Sequence, residues 1–497
     1  MKNPPSKRKI KTFLISVIYL TLVTIISSLI LQNIQYKSYI KKFKENKFNG
    51  GLIEDDSNLK EKENHRLLEN AIENFLLESA NKTLNVDDFI ELRKKEELHT
   101  ALWHALIGKY ENLHGNDDEL TLYKNKLINA TSFLTSKEIE HLTGYEKLMA
   151  TLHQSLYPWL YGYRYHSIGD LVNSFNGKGI VICTGNFHFK YARSTIDSLR
   201  NIINCKLPIE VFYNGEDDLS AENREILKSY DNVFVEDIST YFNGEIIEIE
   251  RWAIKPFSVL ASRFEEVILM DADVVYLRDP EELFEEKGYT EMGTLFLKDR
   301  TLYPGWHKEL SWLKSWMVNP LPETEKSRYY NAETIHEMES STVLIHKTKT
   351  LIGLLAVCKL NEGAIRKDIV YENVYGDKET FWMGYDMARE HYYMYPELCA
   401  FVGELSDTQI CGHVGHVIND RLYFWNGHIV QDKNMEELNL IKFESYYIEN
   451  KNISWNKEHN CLIYNIDVQM PIYFSFEEID TFKKIMDKEK EAHFILP

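Results

Sequence analysis

Asp271 and Asp273 stand one residue apart at the end of an apolar run, in EEVILMDADVVYLRDP, residues 265–280. Val267–Met270 precede them and Val274–Leu277 follow, so two acids sit inside sequence that otherwise reads as core. A buried carboxylate is costly unless a cation or hydrogen bonds compensate it. Aspartate supplies the hard oxygens that Mg²⁺ and Mn²⁺ prefer. A divalent cation held there against the diphosphate of a nucleotide-activated sugar would neutralise the charge that builds as the sugar–phosphate bond breaks. Asp-x-Asp alone is a weak signal, and a solvated loop is its ordinary alternative. The apolar flanks favour the metal. In an extended strand the two side chains point to opposite faces, so serving one site requires a turn at the strand end.

The elements around the pair are those that would place it at a ligand. NGKGIVICTGN carries glycines on either side of Ile180–Cys183, the pattern of a buried parallel strand that ends in a tight loop. KYARSTIDSLRNII follows with helical spacing, then LPIEVFYNG as a strand, SAENREILKSY as a helix and NVFVEDI as a strand. KPFSVLASRF reads as a helix and EEVILMDAD as the next strand. Alternating strands and helices predict an α/β domain with a parallel sheet, whose ligands bind at the carboxyl ends of the strands. Upstream, Leu67, Ala71, Phe75 and Leu68, Ile72, Leu76 recur with helical spacing, which predicts a mostly helical region over 63–175.

The chain has 497 residues and a formal net charge of −19, which argues against a nucleic-acid partner. Its N-terminus departs from that balance. MKNPPSKRKIK holds Lys2, Lys7, Arg8, Lys9 and Lys11 and no acid; residues 12–31, TFLISVIYLTLVTIISSLIL, are uncharged and long enough to span a bilayer as one helix. These features predict a cytosolic tail (1–11), a signal anchor (12–31), a polar stem (32–62) and a lumenal body. Six cysteines permit three disulfides in a lumenal protein, in pairings that the sequence does not specify. Asn81, Asn129 and Asn452 head Asn-x-Ser/Thr sequons. No Gly-x-Ser-x-Gly elbow, P-loop or Gly-x-Gly-x-x-Gly is found, which removes the commonest hydrolase, NTPase and dinucleotide-binding readings. HEMESSTV fails as a zinc-protease motif because Ser340 stands where the second histidine is needed.

GIVICTGNFHFKYARSTIDSLR, WAIKPFSVLASRFEEVILMDADVVYLRDP, GDKETFW and YFWNG, in this order over about residues 176–430, together resemble the fungal α-1,3-mannosyltransferase family. Those are type II Golgi membrane enzymes of GT-A-type fold, a Rossmann-like nucleotide-sugar-binding domain. The resemblance implies GDP-mannose as donor, Mn²⁺ as cofactor and a mannose-ended glycan as acceptor. It also implies roles for particular residues. Asp271 and Asp273 would hold the metal, with His416 of ICGHVGHVIND as third ligand and His413 in reserve. Thr184 and Gly185 would lie under the nucleotide, and Lys255 would reach a donor phosphate. Ser340 and Ser341 would approach the donor sugar, although glycine is usual in that segment. Asp377, and after it Glu379, would orient the acceptor or steady the positive sugar; a helix N-terminus is the ordinary place for such acids. A structural zinc on Cys399, Cys411, His413 and His416 is a rival that an oxidising lumen disfavours, a Cys399–Cys411 disulfide being the simpler pairing there. Trp306, Trp312 and Trp316 offer stacking surfaces for acceptor sugars, with core packing as the alternative.

The expected layout is therefore a catalytic domain over 176–460 and a C-terminal extension over 461–497. The expected activity is retaining, Mn²⁺-dependent α-1,3 mannosyl transfer in glycan elongation. The rivals are the same fold using another nucleotide sugar or linkage, and a non-catalytic subunit or glycan-binding partner of a mannan-building complex.

Overall fold

In a computed structural model, the described residues run from 76 to 494, apart from 78–79, 83–84, 86, 111–116, 130–131, 136–137, 407, 434–438, 451–453, 457–460 and 493. All of them belong to one unit, residues 73–497. The expected tail, membrane span and stem (1–62) lie outside the described residues, as does Asn452. Among the described residues no helix is long and apolar enough to cross a membrane.

A six-stranded sheet forms the frame. Strands β1 (Lys178–Cys183), β2 (Ile209–Tyr213), β3 (Val233–Asp237) and β4 (Glu266–Met270) are parallel in the order β3-β2-β1-β4. This is the α/β arrangement that the strand–helix alternation predicts. Ile180, Ile182, Ile268 and Met270 point into one core, and Val181, Val267 and Leu269 into another. Both faces are covered, which is why these strands read as unbroken apolar runs rather than alternating ones. The chain leaves β4 through Asp271–Asp273 and enters β5 (Val274–Tyr276), which belongs to a second sheet. Beyond it come β6 (Thr294–Lys298) and β7 (Met338–His346). Strand β7 closes on β4 and β6 on β7, both antiparallel.

Among the described residues the second sheet has eight strands, and the sequence reading did not anticipate it. At its centre β8 (Ala400–Ser406) pairs with β9 (Gln409–Ile418), and β10 (Arg421–Asn426) joins β9 to β5. Cys461–Ile463 pairs with β9 as well, and Cys411 and Cys461, opposite one another, are disulfide-bonded. The expected boundary at 460/461 is thereby corrected, because it falls inside the sheet. The helix Phe476–Ala492 also belongs here: Ile485 lies in the core formed by Val275, Val402 and Trp425.

Upstream, helices α1 (Phe89–Leu106), α2 (Asp117–Asn129), α3 (Gly144–Leu156) and α4 (Ile168–Asn173) gather around Trp103, Leu127, Met149 and Trp159. The same apolar cluster includes Val181, Leu269 and Val343 of the first sheet, so the helical region buttresses one face of that sheet. Asn81 and Asn129 are exposed. Trp316 is buried and Trp312 half-buried, both packed on Phe89, while Trp306 is exposed and donates to Ser311 Oγ. Packing is the fate of the first two.

Candidate active site

Asp271–Ala272–Asp273 is the tripeptide by which the chain crosses from one sheet to the other, and its backbone is pinned on three sides. Asp271 N–H donates to Ser341 O of β7 at 2.8 Å. Asp273 O accepts from the N–H groups of Gly427 and His428, just past β10. Thr195 Oγ1 donates to the carbonyls of Ala272 and Val274. The sheet change supplies the turn that lets both acids line one cleft.

That cleft, about 670 Å³, is walled by Thr184, Gly185, Asp218, Arg251, Trp252, Lys255, Asp271, Asp273 and Lys433. It lies at the carboxyl ends of β1, β2 and β4, where a parallel sheet binds ligands. Thr184 and Gly185 both line it. Gly185 is required for a reason that the sequence concealed: a Cβ would stand 2.2 Å from Asp218 Oδ1. Asp218 is itself fixed, its Oδ2 accepting from Asn214 N–H and its carbonyl from Asn186 N–H.

A second cleft of about 250 Å³ shares Trp252, Lys255 and Asp271 with the first and continues past Glu339, Ser340, Tyr375, Asp377, Lys378, Asp299 and His413. Lys255 is the junction. Its ammonium lies 2.6 Å from Asp271 Oδ1 and 3.7 Å from Asp377 Oδ2, and Ser340 Oγ donates to Asp377 at 3.2 Å. Burial alone would pull the lysine down, but Asp271 and Asp377 more than reverse this, so its pKa is raised and the group stays charged. Burial raises Asp271 to about 6, against the pull of Lys255. Asp377 is raised by burial as well. Asp273 goes the other way: burial opposes its charge, yet the ammonium of Lys433 bonded to it holds it below the ordinary carboxylate range.

Three expected residues stand elsewhere. Ser341 is fully buried; its Oγ and N–H both donate to Glu339, so it supports the wall without reaching the cleft. Glu379 is fully buried, accepting from Trp382 Nε1 at 2.6 Å and Glu337 N–H at 3.1 Å, and it lines neither cleft. Burial raises it to about 8. His416 lines neither cleft: its Nε2 faces Glu339 Oε2 at 3.4 Å and its ring packs on Phe424. His413 lies three residues away on β9 and so on the opposite face. It is the one that borders the smaller cleft, with Nε2 on the Val430 carbonyl and burial holding it down to about 4, a neutral imidazole. The zinc and Cys399–Cys411 readings fall together. Cys411 is bonded to Cys461, and the Cys399 thiol donates to Glu449.

Among the described residues no three His, Cys, Asp or Glu side chains are grouped to hold a metal. Two carboxylates are nonetheless a sufficient protein contribution for a hard cation that takes its remaining ligands from water and substrate phosphates. Asp271 and Asp273 fit that description in donor type and place.

The sequence reading missed Glu339, Asp218, Lys433, Trp252 and Tyr375. Glu339 had a signal, since on β7 it shares a face with Ser341 and sits beside the serine pair. Lys433 had none, because its meeting with Asp273 joins residues 160 apart.

The family model described as "Mannosyltransferase putative" matches residues 177–431, more than half of the 497. The chain belongs to this family. Both clefts are lined almost wholly from the matched segment, with Lys433 just beyond it. Among curated relatives, "Putative alpha-1,3-mannosyltransferase MNN1" of Candida albicans is 29% identical over 289 residues, covering 48% of this chain and 34% of that protein. "Alpha-1,3-mannosyltransferase MNT3" of Saccharomyces cerevisiae is 30% identical over 236 residues, covering 41% and 36%. The chain spans between a third and a half of the length of these curated relatives and of "Putative alpha-1,3-mannosyltransferase MNN14" of Candida albicans. Among solved structures, mouse xyloside xylosyltransferase 1 aligns at a TM-score of 0.29 with 14% identity, over 44% of this chain and 85% of that one, too distant to bear on ligand or mechanism.

Proposed function

We propose that this chain is a retaining α-1,3-mannosyltransferase of GT-A type that moves mannose from GDP-mannose to a hydroxyl of a mannose-ended glycan, with Mn²⁺ as cofactor. The observation that carries this reading is the junction. In a member of a mannosyltransferase family, a cleft large enough for a nucleotide and a smaller one suited to a sugar meet at Lys255 and Asp271.

In this reading the larger cleft takes the nucleotide, and Thr184, Gly185 and Asp218 face its base and ribose. Lys255 stands where the diphosphate meets the hexose and offsets its charge as the anomeric C–O bond breaks. The bond's electrons leave with the β-phosphate oxygen. The acceptor hydroxyl forms the new C–O bond on the same face and passes its proton to the departing phosphate, which needs no protein nucleophile. Asp377, held by Ser340, steadies the positive sugar between bond breaking and bond making. Asp271 and Asp273 would hold Mn²⁺, which supplies charge neutralisation at the diphosphate when bound. The proposed setting is the Golgi lumen, with residues 12–31 as the anchor and Asn81, Asn129 and Asn452 as glycan acceptors.

The test is a donor and acceptor screen of the purified full-length chain with and without Mn²⁺, followed by linkage analysis of the product. Transfer from GDP-mannose giving an α-1,3 bond supports the reading. Turnover of UDP-sugars alone rejects the donor. If Asp271→Ala leaves cellular glycans unchanged while deletion of the whole chain alters them, the protein is a non-catalytic subunit.

A further inference from the structure

The wall of the smaller cleft ends in two aromatic rings that the mechanism above does not use. Trp252 is 38% exposed and Tyr375 65% exposed, and their ring centroids lie 5.4 Å apart with the planes tilted by 45°. Single exposed aromatics are ordinary on protein surfaces. These two come from segments far apart in sequence, face one another beside a cleft, and are held in place. Arg251, just before Trp252, takes a left-handed φ of 50°, which is strained for a residue with a side chain. Gly376, just after Tyr375, has a φ of 69°, and a Cβ there would come 2.9 Å from the Trp252 ring. Only glycine meets both demands, so the turn that presents Tyr375 also seats Trp252.

The rim around the rings is polar. Lys378 Nζ bonds Asp299 Oδ2 at 2.6 Å and lies 5.5 Å from the Tyr375 centroid. Arg300 lines the same wall. A hexose has one face rich in C–H bonds and edges rich in hydroxyls. Aromatic faces suit the former, and carboxylate and cationic groups the latter. Trp252 borders both clefts, whereas Tyr375, Lys378, Asp299 and Arg300 border only the smaller one. The platform therefore runs away from the nucleotide, in the direction from which an acceptor must enter.

We infer that Trp252 and Tyr375 form a stacking subsite for an acceptor glycan, holding a hexose next to the sugar that receives the transfer. This rests on the glycosyltransferase reading above. The test uses the purified full-length chain, GDP-mannose, and two acceptors, mannotriose and methyl α-mannoside. Tyr375→Ala should raise the KM for mannotriose about tenfold and leave the KM for GDP-mannose within about twofold. Tyr375→Phe should restore the wild-type value, and methyl α-mannoside, too short to reach the platform, should be affected far less. An unchanged mannotriose KM, or a rise in the donor KM instead, overturns the subsite. Calorimetric titration of mannotriose into wild type and Tyr375→Ala gives a readout independent of catalysis. A chain that binds mannotriose, and loses about tenfold affinity with the alanine, retains the subsite even if GDP-mannose is not its donor. Equal affinities in the two proteins reject the subsite.

Discussion

Lys255 is the residue on which the account turns, because one ammonium answers both Asp271 and Asp377 at the meeting of two clefts. Removing one partner of a buried ion pair strands the other. Lys255→Met should therefore cost about 3–5 kcal/mol of stability, read by chemical denaturation, and abolish transfer. Glu379 gives the opposite forecast. Its carboxyl is held at about 8 by burial, against an ordinary value of 4.5, so the folded chain keeps a proton that the unfolded chain releases. Its contribution to stability is thus fully present below pH 4.5 and is lost as pH rises through 8. Glu379→Gln should remove that loss, raising the melting temperature at pH 9 by on the order of 2 °C while changing little at pH 4.5. Transfer activity should persist, since Glu379 lines neither cleft. The sequence showed Asp377 and Glu379 as equivalent acids ahead of Phe381–Trp382. What separates them is the side on which each falls at the start of the helix Lys378–Met387. Asp377 opens to the cleft, and Glu379 turns inward to Trp382 and Glu337.

At the scale of elements, the decisive feature is a strand that changes sheets. The apolar runs of β1 and β4 were legible because both of their faces are buried, and the acids after β4 were legible as a strand end. The crossing itself was not, because it depends on the turn just past β10 and on β7, which join the tripeptide from 154 and 70 residues downstream. The placement of the histidines of β9 was hidden for a related reason. An odd spacing puts His413 and His416 on opposite faces, but which face meets the cleft is set by Glu339 and Val430 on other elements. The turn at Gly376 is a second positioning device. Gly376→Ala forces a left-handed alanine against Trp252, with an expected cost of at least about 1–2 kcal/mol in thermal or denaturant unfolding. The acceptor KM should rise with it.

For the whole molecule, two sheets share the site, and in the second Cys411–Cys461 ties the segment Cys461–Ile463 to β9, closing a loop of sequence separation 50. Cys411→Ser together with Cys461→Ser should lower stability by about 2–4 kcal/mol, measured by denaturation with and without reductant. Turnover at low temperature should be retained, because neither cysteine lines a cleft. The pairing was hidden in the sequence because it follows from the register of Cys461–Ile463 on β9, a long-range contact. The central claim is that the sheet crossing at Asp271–Asp273, with Lys255 paired to Asp271, holds the diphosphate end of a mannosyl donor. The most direct test is the initial rate of mannose transfer from GDP-mannose to mannotriose by Asp271→Asn at saturating Mn²⁺. A fall of at least about 100-fold in an otherwise folded chain is the predicted result. A rate within about twofold of wild type would contradict it.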